Sequence, residues 1–169
     1  MVEAAESFVY LSTFYLEHDA YGLAMLDALE AAQRRGIAVS LLIDSFGQGL
    51  GGVLMSEEHR AALERRFELI RSCGGSVQFY TPPRFAQRLL GGGHHIKIQL
   101  SDAGEAIYGS SNITRSSFAG WNEYSVALRG PVVLQLVDTL EALGVRVAAV
   151  HRQKLANLAQ TEEIGRAHV

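Results

Sequence analysis

Three segments near the N-terminus constrain the fold most, because together they define one supersecondary unit. Phe8 to Phe14 is a short run of β-branched and aromatic residues, which is typical of a strand. Leucines recur at helical spacing over residues 20–35, and Asp19 stands where a helix cap is expected. Ile37 to Asp44 is almost continuously apolar, as in a parallel strand that is covered on both faces. A strand, a helix and a strand with short connections predict a right-handed crossover unit and an α/β fold.

Later segments continue this alternation of helices and strands. Ser56 to Ser72 has the apolar stripe of an amphipathic helix, with a serine cap at its start. Val77 to Tyr80 and Trp121 to Leu128 are predicted strands. The pattern then predicts a helix over residues 130–159, with a break near Gly144.

Three stretches rich in glycine or polar residues are predicted connections. Residues 47–52 contain four glycines, but their spacing matches neither the dinucleotide-binding fingerprint nor the P-loop, so we predict a mobile loop. Residues 84–93 hold two arginines and three consecutive glycines. A solvated connector and a basic rim of a binding site both remain open for that stretch. Residues 114–120 read as a short polar connection.

The bulk composition is that of an ordinary globular protein. A chain of 169 residues with 48% hydrophobic composition can form one domain with a core, and we assign residues 1–160 to it. A net charge of −3 gives no basic field that would attract nucleic acid or anionic lipid. The single cysteine excludes an internal disulfide, and no stretch is apolar enough to span a bilayer.

The C-terminal residues 161–169 are interpreted separately. The run from Glu163 to Val169 resembles the translation of a sequencing-adapter read. We therefore expect a non-native tail and a natural protein that continues beyond this chain. His168 is accordingly left out of the candidate catalytic residues.

Residues 95–112 combine a strand pattern with a turn. Polar and apolar side chains alternate over residues 95–100, which predicts a strand with one buried face and one polar face. Residues 102–104 then predict a tight turn, and residues 106–108 predict the returning strand of a hairpin. Such a hairpin brings an imidazole, an ammonium, a hydroxyl and an amide together on one surface. These groups belong to His95, Lys97, Ser110 and Asn112.

The polar residues of this hairpin follow the pattern H-x-K-x-x-x-x-D, six residues, then G-S-x-N. Six fixed residue types at fixed offsets arise by chance about once in 10⁷ to 10⁸ start positions. The pattern resembles the signature of the phospholipase D superfamily, and a likeness to bacterial cardiolipin synthase and phosphatidylserine synthase relatives extends over residues 8–158. The resemblance implies a phospholipase D-like fold, with a mixed sheet flanked by helices, that forms one half of a pseudo-two-fold bilobal enzyme.

The resemblance also implies roles for six residues. The motif histidine is nucleophile or general acid, and the lysine, serine and asparagine bind the substrate phosphate. The motif aspartate is grouped with the catalytic residues but is more structural than catalytic. An acidic residue after the motif hydrogen-bonds and orients the histidine, with a solvated strand charge as the alternative. The histidine is His95, and the three phosphate-binding residues are Lys97, Ser110 and Asn112. The motif aspartate is Asp102, and the acidic residue after the motif is Glu123.

These residue types suit phosphodiester chemistry without a metal. An unperturbed imidazole, with a pKa of about 6.5, is largely neutral and nucleophilic at pH 7. A covalent phosphohistidine splits one difficult displacement into two easier ones, while hydrogen bonds offset the charge that develops on the phosphate oxygens. His18, His59 and His151 have no partner at metal-ligand spacing, and the alternation turns His94 to the opposite face. We therefore predict no metal and no cofactor.

The chain holds one copy of the motif, so we expect a complete site to need a second half that bears another histidine. The first hypothesis is a cardiolipin synthase-like phosphatidyltransferase or phospholipase D, whose second half lies in the C-terminal part of the native chain. The alternative is a homodimeric single-motif phosphodiesterase or nuclease. The intact motif disfavours a non-enzymatic binding module. We favour the phospholipid substrate and expect a cytoplasmic location, with peripheral contact at the inner membrane left open.

Overall fold

The computed structural model describes residues 1–89 and 93–166. The strands are β1 (Phe8–Thr13), β2 (Ala38–Asp44), β3 (Ser76–Tyr80), β4 (Lys97–Ser101), β5 (Glu105–Gly109) and β6 (Ser125–Arg129). The helices are α1 (Ala20–Arg34), α2 (Ser45–Val53), α3 (Glu57–Ser72), α4 (Phe85–Leu89), α5 (Arg115–Ala119), α6 (Val132–Ala142) and α7 (Ala149–Arg166).

The strands lie in one mixed sheet with the order β3-β2-β1-β4-β5-β6. The strand β1 is parallel to β2, and β2 is parallel to β3. On its other edge β1 pairs antiparallel with β4, and β4, β5 and β6 continue as antiparallel neighbours. The parallel crossover, the hairpin and the α/β class predicted from the sequence are therefore confirmed.

Alternation along the strands builds an apolar core on each face of the sheet. On one face, Val9 and Leu11 of β1 pack with residues of α1 and α3. On the other face, Phe8 and Tyr10 pack with residues of α6 and α7. All of β1 is buried because the strand lies in the middle of the sheet with helices on both sides. Removal of these apolar groups from water is the main force that holds the layers together.

Side-chain caps begin α1 and α3 where the sequence predicts them. The carboxylate of Asp19 accepts hydrogen bonds from the backbone N–H groups of Tyr21 and Gly22, both at 2.9 Å. The hydroxyl of Ser56 accepts one from the N–H of His59 at 3.2 Å. Each cap satisfies donors that have no partner within the helix.

The predicted loop at residues 47–52 is wrong, because these residues form most of α2. Asp44 caps this helix by accepting a hydrogen bond from the N–H of Gly47 at 2.7 Å. A side chain at Gly47 or Gly51 would collide with the Phe14–Tyr15 segment, so glycine is what allows the helix to pack there. The opposite face of α2 and its C-cap are apolar and exposed, and present Phe46, Leu50, Val53 and Leu54 to solvent.

Other boundaries differ from the predicted ones by a few residues. The polar connection at 114–120 contains the short helix α5, and the last strand begins at Ser125 and not at Trp121. The predicted helical break is confirmed at Gly144, whose φ of 91° lies between α6 and α7. Part of the connection at 84–93 forms α4, and residues 90–92 lie outside the described residues. Residues 161–166 continue α7, whereas residues 167–169, and with them His168, also lie outside the described residues.

Among residues 1–89 and 93–166, no helix combines the length and the apolar character needed to cross a bilayer.

Candidate active site

The hairpin of β4 and β5 brings the two parts of the motif together. Lys97, the first residue of β4, pairs with Gly109, the last residue of β5. His95 stands two residues before Lys97, and Ser110 and Asn112 follow Gly109 directly. The antiparallel pairing therefore gathers these side chains at the edge of the sheet where β1, β2 and β3 also end.

His95 and Lys97 form the centre of this candidate site. The Lys97 Nζ lies 2.9 Å from Nδ1 and 3.2 Å from Nε2 of the His95 ring. It also donates a hydrogen bond to the His95 carbonyl oxygen at 3.1 Å. His95 is exposed, whereas Lys97 is buried. The imidazole is thus open to solvent, with the buried ammonium next to it.

Burial shifts the pKa of both groups. Burial lowers the pKa of Lys97 to about 8, although the negative charge of Glu123 opposes the shift. Burial and then the charge of Lys97 lower the pKa of His95, against the opposing charges of Glu123 and Asp44. At neutral pH the pair therefore consists of a charged ammonium and a neutral imidazole.

Ser110 and Glu123 lie beside this pair and bind each other. The Ser110 hydroxyl donates a hydrogen bond to the Glu123 carboxylate, and it accepts one from the N–H of Tyr124 at 3.1 Å. The resemblance predicts a hydrogen bond from Glu123 to the histidine. Here the carboxylate is held by Ser110 and acts on His95 and Lys97 through its charge.

Asn112 is buried at the start of the segment after β5. Its backbone N–H donates to the Ser117 hydroxyl at 3.1 Å, which fixes the main chain there. Its side-chain amide interacts with the Tyr15 phenol, which also contacts Thr114. Within the described residues the Asn112 Oδ1 has no hydrogen-bond partner. An amide can turn over, so this position can offer either an oxygen or an NH₂ donor to a ligand.

Asp102 is the one motif residue that the structure does not bring to this cluster. It lies just beyond the opposite end of β4, where its Oδ1 accepts a hydrogen bond from the N–H of Glu6 at 3.1 Å. Its Oδ2 accepts from the Ser7 hydroxyl at 2.7 Å and from Lys154 Nζ at 2.8 Å. Burial raises the pKa of Asp102, but these hydrogen bonds outweigh it and leave the pKa lowered. Asp102 therefore ties the turn after β4 to the N-terminal segment and α7, and its grouping with the catalytic residues stays a prediction.

Two residues near the cluster were missed by the sequence analysis. Asp44 is fully buried, and its Oδ2 accepts a hydrogen bond from the backbone N–H of His94 at 2.8 Å. The Phe14 ring contacts His95, with ring centroids 4.7 Å apart. Asp44 thus fixes the main chain next to His95, and Phe14 contacts its side chain. Their position at the carboxyl ends of β2 and β1 is the signal that could have identified them.

Four other histidines lie within the described residues, and each of them contacts another aromatic or histidine ring. His94 is buried with its ring edge-on to Tyr80 at 5.2 Å, and burial lowers its pKa. His18 and His59 stack on each other at 4.5 Å, and the His151 Nδ1 shares a hydrogen bond with the Tyr10 hydroxyl at 2.8 Å. In the part of the chain that the structure describes, no three histidine, cysteine or acidic side chains converge as a metal site would require.

Comparison with known proteins supports the family resemblance. The family model described as "Cardiolipin synthase, PLD-like domain" matches residues 1–161. A cardiolipin synthase of Clostridium perfringens (strain SM101 / Type A) is 21% identical over 143 residues, which cover 80% of this chain and 28% of that protein. The chain spans about a quarter of the length of the curated relatives it matches.

Solved structures show the same fold. Phosphatidylserine synthase from Haemophilus influenzae Rd KW20 matches with a TM-score of 0.62 at 15% identity, over 96% of this chain and 39% of that one. Nuc from Salmonella typhimurium, a phospholipase D family member, matches with a TM-score of 0.53 at 19% identity, over 93% of this chain and 82% of that one. These likenesses confirm the mixed sheet flanked by helices. Since the family model covers almost every residue, the chain belongs to the cardiolipin synthase PLD-like domain family of the phospholipase D superfamily.

Proposed function

We propose that this chain supplies one half of the active site of a phosphatidyltransferase or phospholipase D that cleaves the phosphodiester of a phospholipid. The observation that carries the proposal is the contact between an exposed imidazole and a buried ammonium, with a distance of 2.9 Å from Lys97 Nζ to His95 Nδ1. The lowered pKa of His95 favours the neutral imidazole, which is the nucleophilic form.

In the proposed reaction, a neutral ring nitrogen of His95 attacks the phosphorus and a nitrogen–phosphorus bond forms. The bond from phosphorus to the leaving alcohol breaks, and the histidine of the second half donates a proton to that alcohol. An acceptor alcohol then gives its proton to the second histidine and attacks the phosphorus. This step breaks the nitrogen–phosphorus bond and regenerates His95. If the second half supplies the nucleophile instead, His95 performs the proton transfers.

The other polar groups of the site bind the phosphate in this proposal. The Lys97 ammonium and the Asn112 amide are hydrogen-bond donors that suit the non-bridging oxygens, and the Ser110 hydroxyl becomes a third donor when its proton turns from Glu123 to the phosphate. Glu123 accepts the hydrogen bond that orients the serine hydroxyl, and its negative charge favours the charged form of Lys97. Such fixed donors stabilise charge as it develops, without reorganisation during the reaction.

Two functions remain, and they differ in where the second half of the active site comes from. A second motif further along a longer native chain fits the lipid enzyme, and the cardiolipin synthase match over 28% of that protein's length supports this reading. The alternative is a homodimeric phosphodiesterase or nuclease, supported by the structural match to Nuc, which covers 82% of that chain. A net charge of −3 makes a nucleic-acid substrate less favourable than a lipid.

The test measures the mass and the activity of this chain and of the chain extended with its native downstream reading frame. We expect a chain that is inactive alone and an extended protein that transfers phosphatidyl groups in phosphatidylglycerol vesicles. An active dimer of the short chain that hydrolyses bis(p-nitrophenyl) phosphate would decide for the alternative. A phosphorylated intermediate that is labile in acid and stable in base would support the phosphohistidine.

The matched variants are His95→Ala and His59→Ala, of which the second changes an exposed histidine that stacks on His18 away from the motif. Turnover should be lost in His95→Ala and kept in His59→Ala. Turnover retained by a folded His95→Ala protein would overturn the assignment of His95 under both functions.

A further inference from the structure

Phe14 lies directly beyond the carboxyl end of β1 and touches both central groups of the candidate site. Its ring centroid is 4.7 Å from that of His95, with 56° between the ring planes. The Lys97 Nζ lies 5.6 Å from the same centroid, within the range of a cation–π contact. Phe14 therefore contacts both the imidazole and the ammonium, although it is far from His95 and Lys97 in the sequence.

We infer that Phe14 is a positioning residue of the candidate site: its ring holds the His95 imidazole against the Lys97 ammonium and covers the contact between them. The inference rests on the proposed function only in that it concerns the same site. Phe14 has no polar side-chain atom, so it acts through His95 and Lys97 and takes no part in bond making.

The helix α2 packs against the Phe14–Tyr15 segment and restricts the Phe14 ring. A Cβ atom at Gly47 would lie 2.3 Å from the Phe14 carbonyl oxygen and 2.5 Å from its Cδ2. A Cβ atom at Gly51 would lie 2.6 Å from the Tyr15 ring, which packs edge-on against Phe14 with centroids 6.0 Å apart. The backbone of α2 thus contacts Phe14 and Tyr15 directly, which leaves the Phe14 ring little freedom to move away from His95.

The pKa values of Lys97 and His95 depend on how well their contact is shielded from water. The charge of Glu123, which precedes β6, raises the pKa of both His95 and Lys97, and the charge of Asp44 at the end of β2 raises that of His95. His94, next to His95, is also titratable, and burial, Lys97 and His95 all lower its pKa. Burial is the largest influence on both Lys97 and His95 and lowers the pKa of each. Removing the ring admits water to both groups and lets them separate, so both pKa values should rise toward their usual ranges.

The experiment uses the chain labelled with [ε-¹³C]lysine, because the sequence contains two lysines and gives two resolved signals. Lys154→Arg assigns the Lys97 signal. In the unmodified chain we expect Lys97 to titrate at a pKa of about 8. In Phe14→Ala we expect this pKa to rise by about one unit, and a parallel titration with labelled histidine should show a rise for His95.

Three further variants separate positioning from general loss of structure. Phe14→Tyr keeps the ring and should restore both wild-type titrations, whereas Phe14→Leu, which keeps apolar bulk, should give an intermediate rise. Phe79→Ala is the matched control, since that ring also faces a cation, with Arg71 Cζ 5.9 Å from its centroid. The control should leave the Lys97 titration unchanged.

Unchanged pKa values for Lys97 and His95 in folded Phe14→Ala or Phe14→Leu would overturn the inference. Unchanged chemical shifts of the His151 ring report that the fold is intact. Because the titrations need no turnover, the Phe14 inference can fail while His95 remains the catalytic residue. It can also hold if the extended protein proves to have no phosphodiesterase activity.

Discussion

Lys97 and Lys154 are the two lysines of the chain, and the fold uses them in opposite ways. Lys154 forms an ion pair with Asp102 at 2.8 Å. Lys97 is buried against His95, and burial lowers its pKa to about 8. Under the proposed function, the Lys97 cation attracts the substrate phosphate at neutral pH and the neutral His95 imidazole attacks it.

The pH dependence of the complete enzyme should report both groups. We expect kcat/KM to fall on the acid side as His95 takes up a proton below its lowered pKa, that is, below about 6.5. It should fall on the alkaline side near pH 8, where Lys97 loses its positive charge and with it the phosphate contact. A pH series of kcat/KM at constant ionic strength measures both limbs.

Lys97→Arg is the control for the alkaline limb. A guanidinium keeps its charge throughout this pH range, so the limb near pH 8 should disappear even though the altered shape lowers the rate. An alkaline limb that stays at the same pH in Lys97→Arg would show that another group causes it.

Glu123→Gln provides a second test at the same scale. The carboxylate raises the pKa of both His95 and Lys97, so its replacement by a neutral amide should lower both. Glu105→Gln, in which the replaced carboxylate forms an exposed pair with Arg129, is the matched control and should leave both unchanged. Titration of the labelled lysine and histidine signals measures the shifts, and a rise of either pKa in Glu123→Gln would contradict the assigned role of the charge.

The candidate site could be predicted from the sequence only where its residues share one local segment. His95, Lys97 and Asn112 belong to one hairpin, so their spacing and the period of two bring them together. Phe14 and Asp44 reach the site through pairing of strands far apart in the sequence, and no local pattern marks that approach.

The element α2 shows how packing can override local preference. Four glycines in residues 47–52 disfavour a helix, and the sequence therefore predicts a loop. The helix forms because Asp44 caps it and because Gly47 and Gly51 let it approach the Phe14–Tyr15 segment. The helices α1 and α3 were predicted to within a few residues, since their hydrophobic periods are regular and Asp19 and Ser56 cap them.

A pair of glycine substitutions in α2 tests this explanation. Gly49→Ala should stabilise the chain by up to about 1 kcal/mol, because nothing lies within 4 Å of the added methyl group and alanine favours a helix. Gly47→Ala should destabilise it by about 1–3 kcal/mol, because the methyl group would collide with Phe14. Urea unfolding of the two variants gives both free energies, and shifts of the same sign would contradict the packing argument.

At the scale of the whole molecule, Asp102 connects three distant parts of the chain. Its carboxylate binds the N-terminal segment through Ser7 and Glu6 and binds α7 through Lys154, while its backbone continues β4. The motif aspartate therefore helps to hold the layers together, and it lies at the end of β4 opposite to the end that carries His95.

Asp102→Asn should weaken the fold in a pH-dependent way. The folded state lowers the pKa of this carboxyl, so its stabilisation is present above the usual aspartate pKa of about 3.9 and is lost as the pH falls through the lower folded value. We expect a loss of about 1–3 kcal/mol at pH 7 that shrinks below pH 4. Asp138→Asn, in an exposed pair with Arg152, should cost less than about 1 kcal/mol. Urea unfolding at pH 7 and at pH 3 measures the stability of both variants. An equal loss for Asp102→Asn at the two pH values would contradict the stabilising role of the Asp102 carboxylate.

The central place of β1 also determines the order in which the chain can fold during synthesis. Val9 pairs with Val39 of β2 on one side and with Ser101 of β4 on the other. The first partner leaves the ribosome soon after β1, whereas the second follows only when most of the domain has been made. Until then an apolar strand has an open edge, which is the condition under which nascent chains mispair. Because β4 also carries Lys97, the same pairing that closes this edge brings Lys97 into the candidate site.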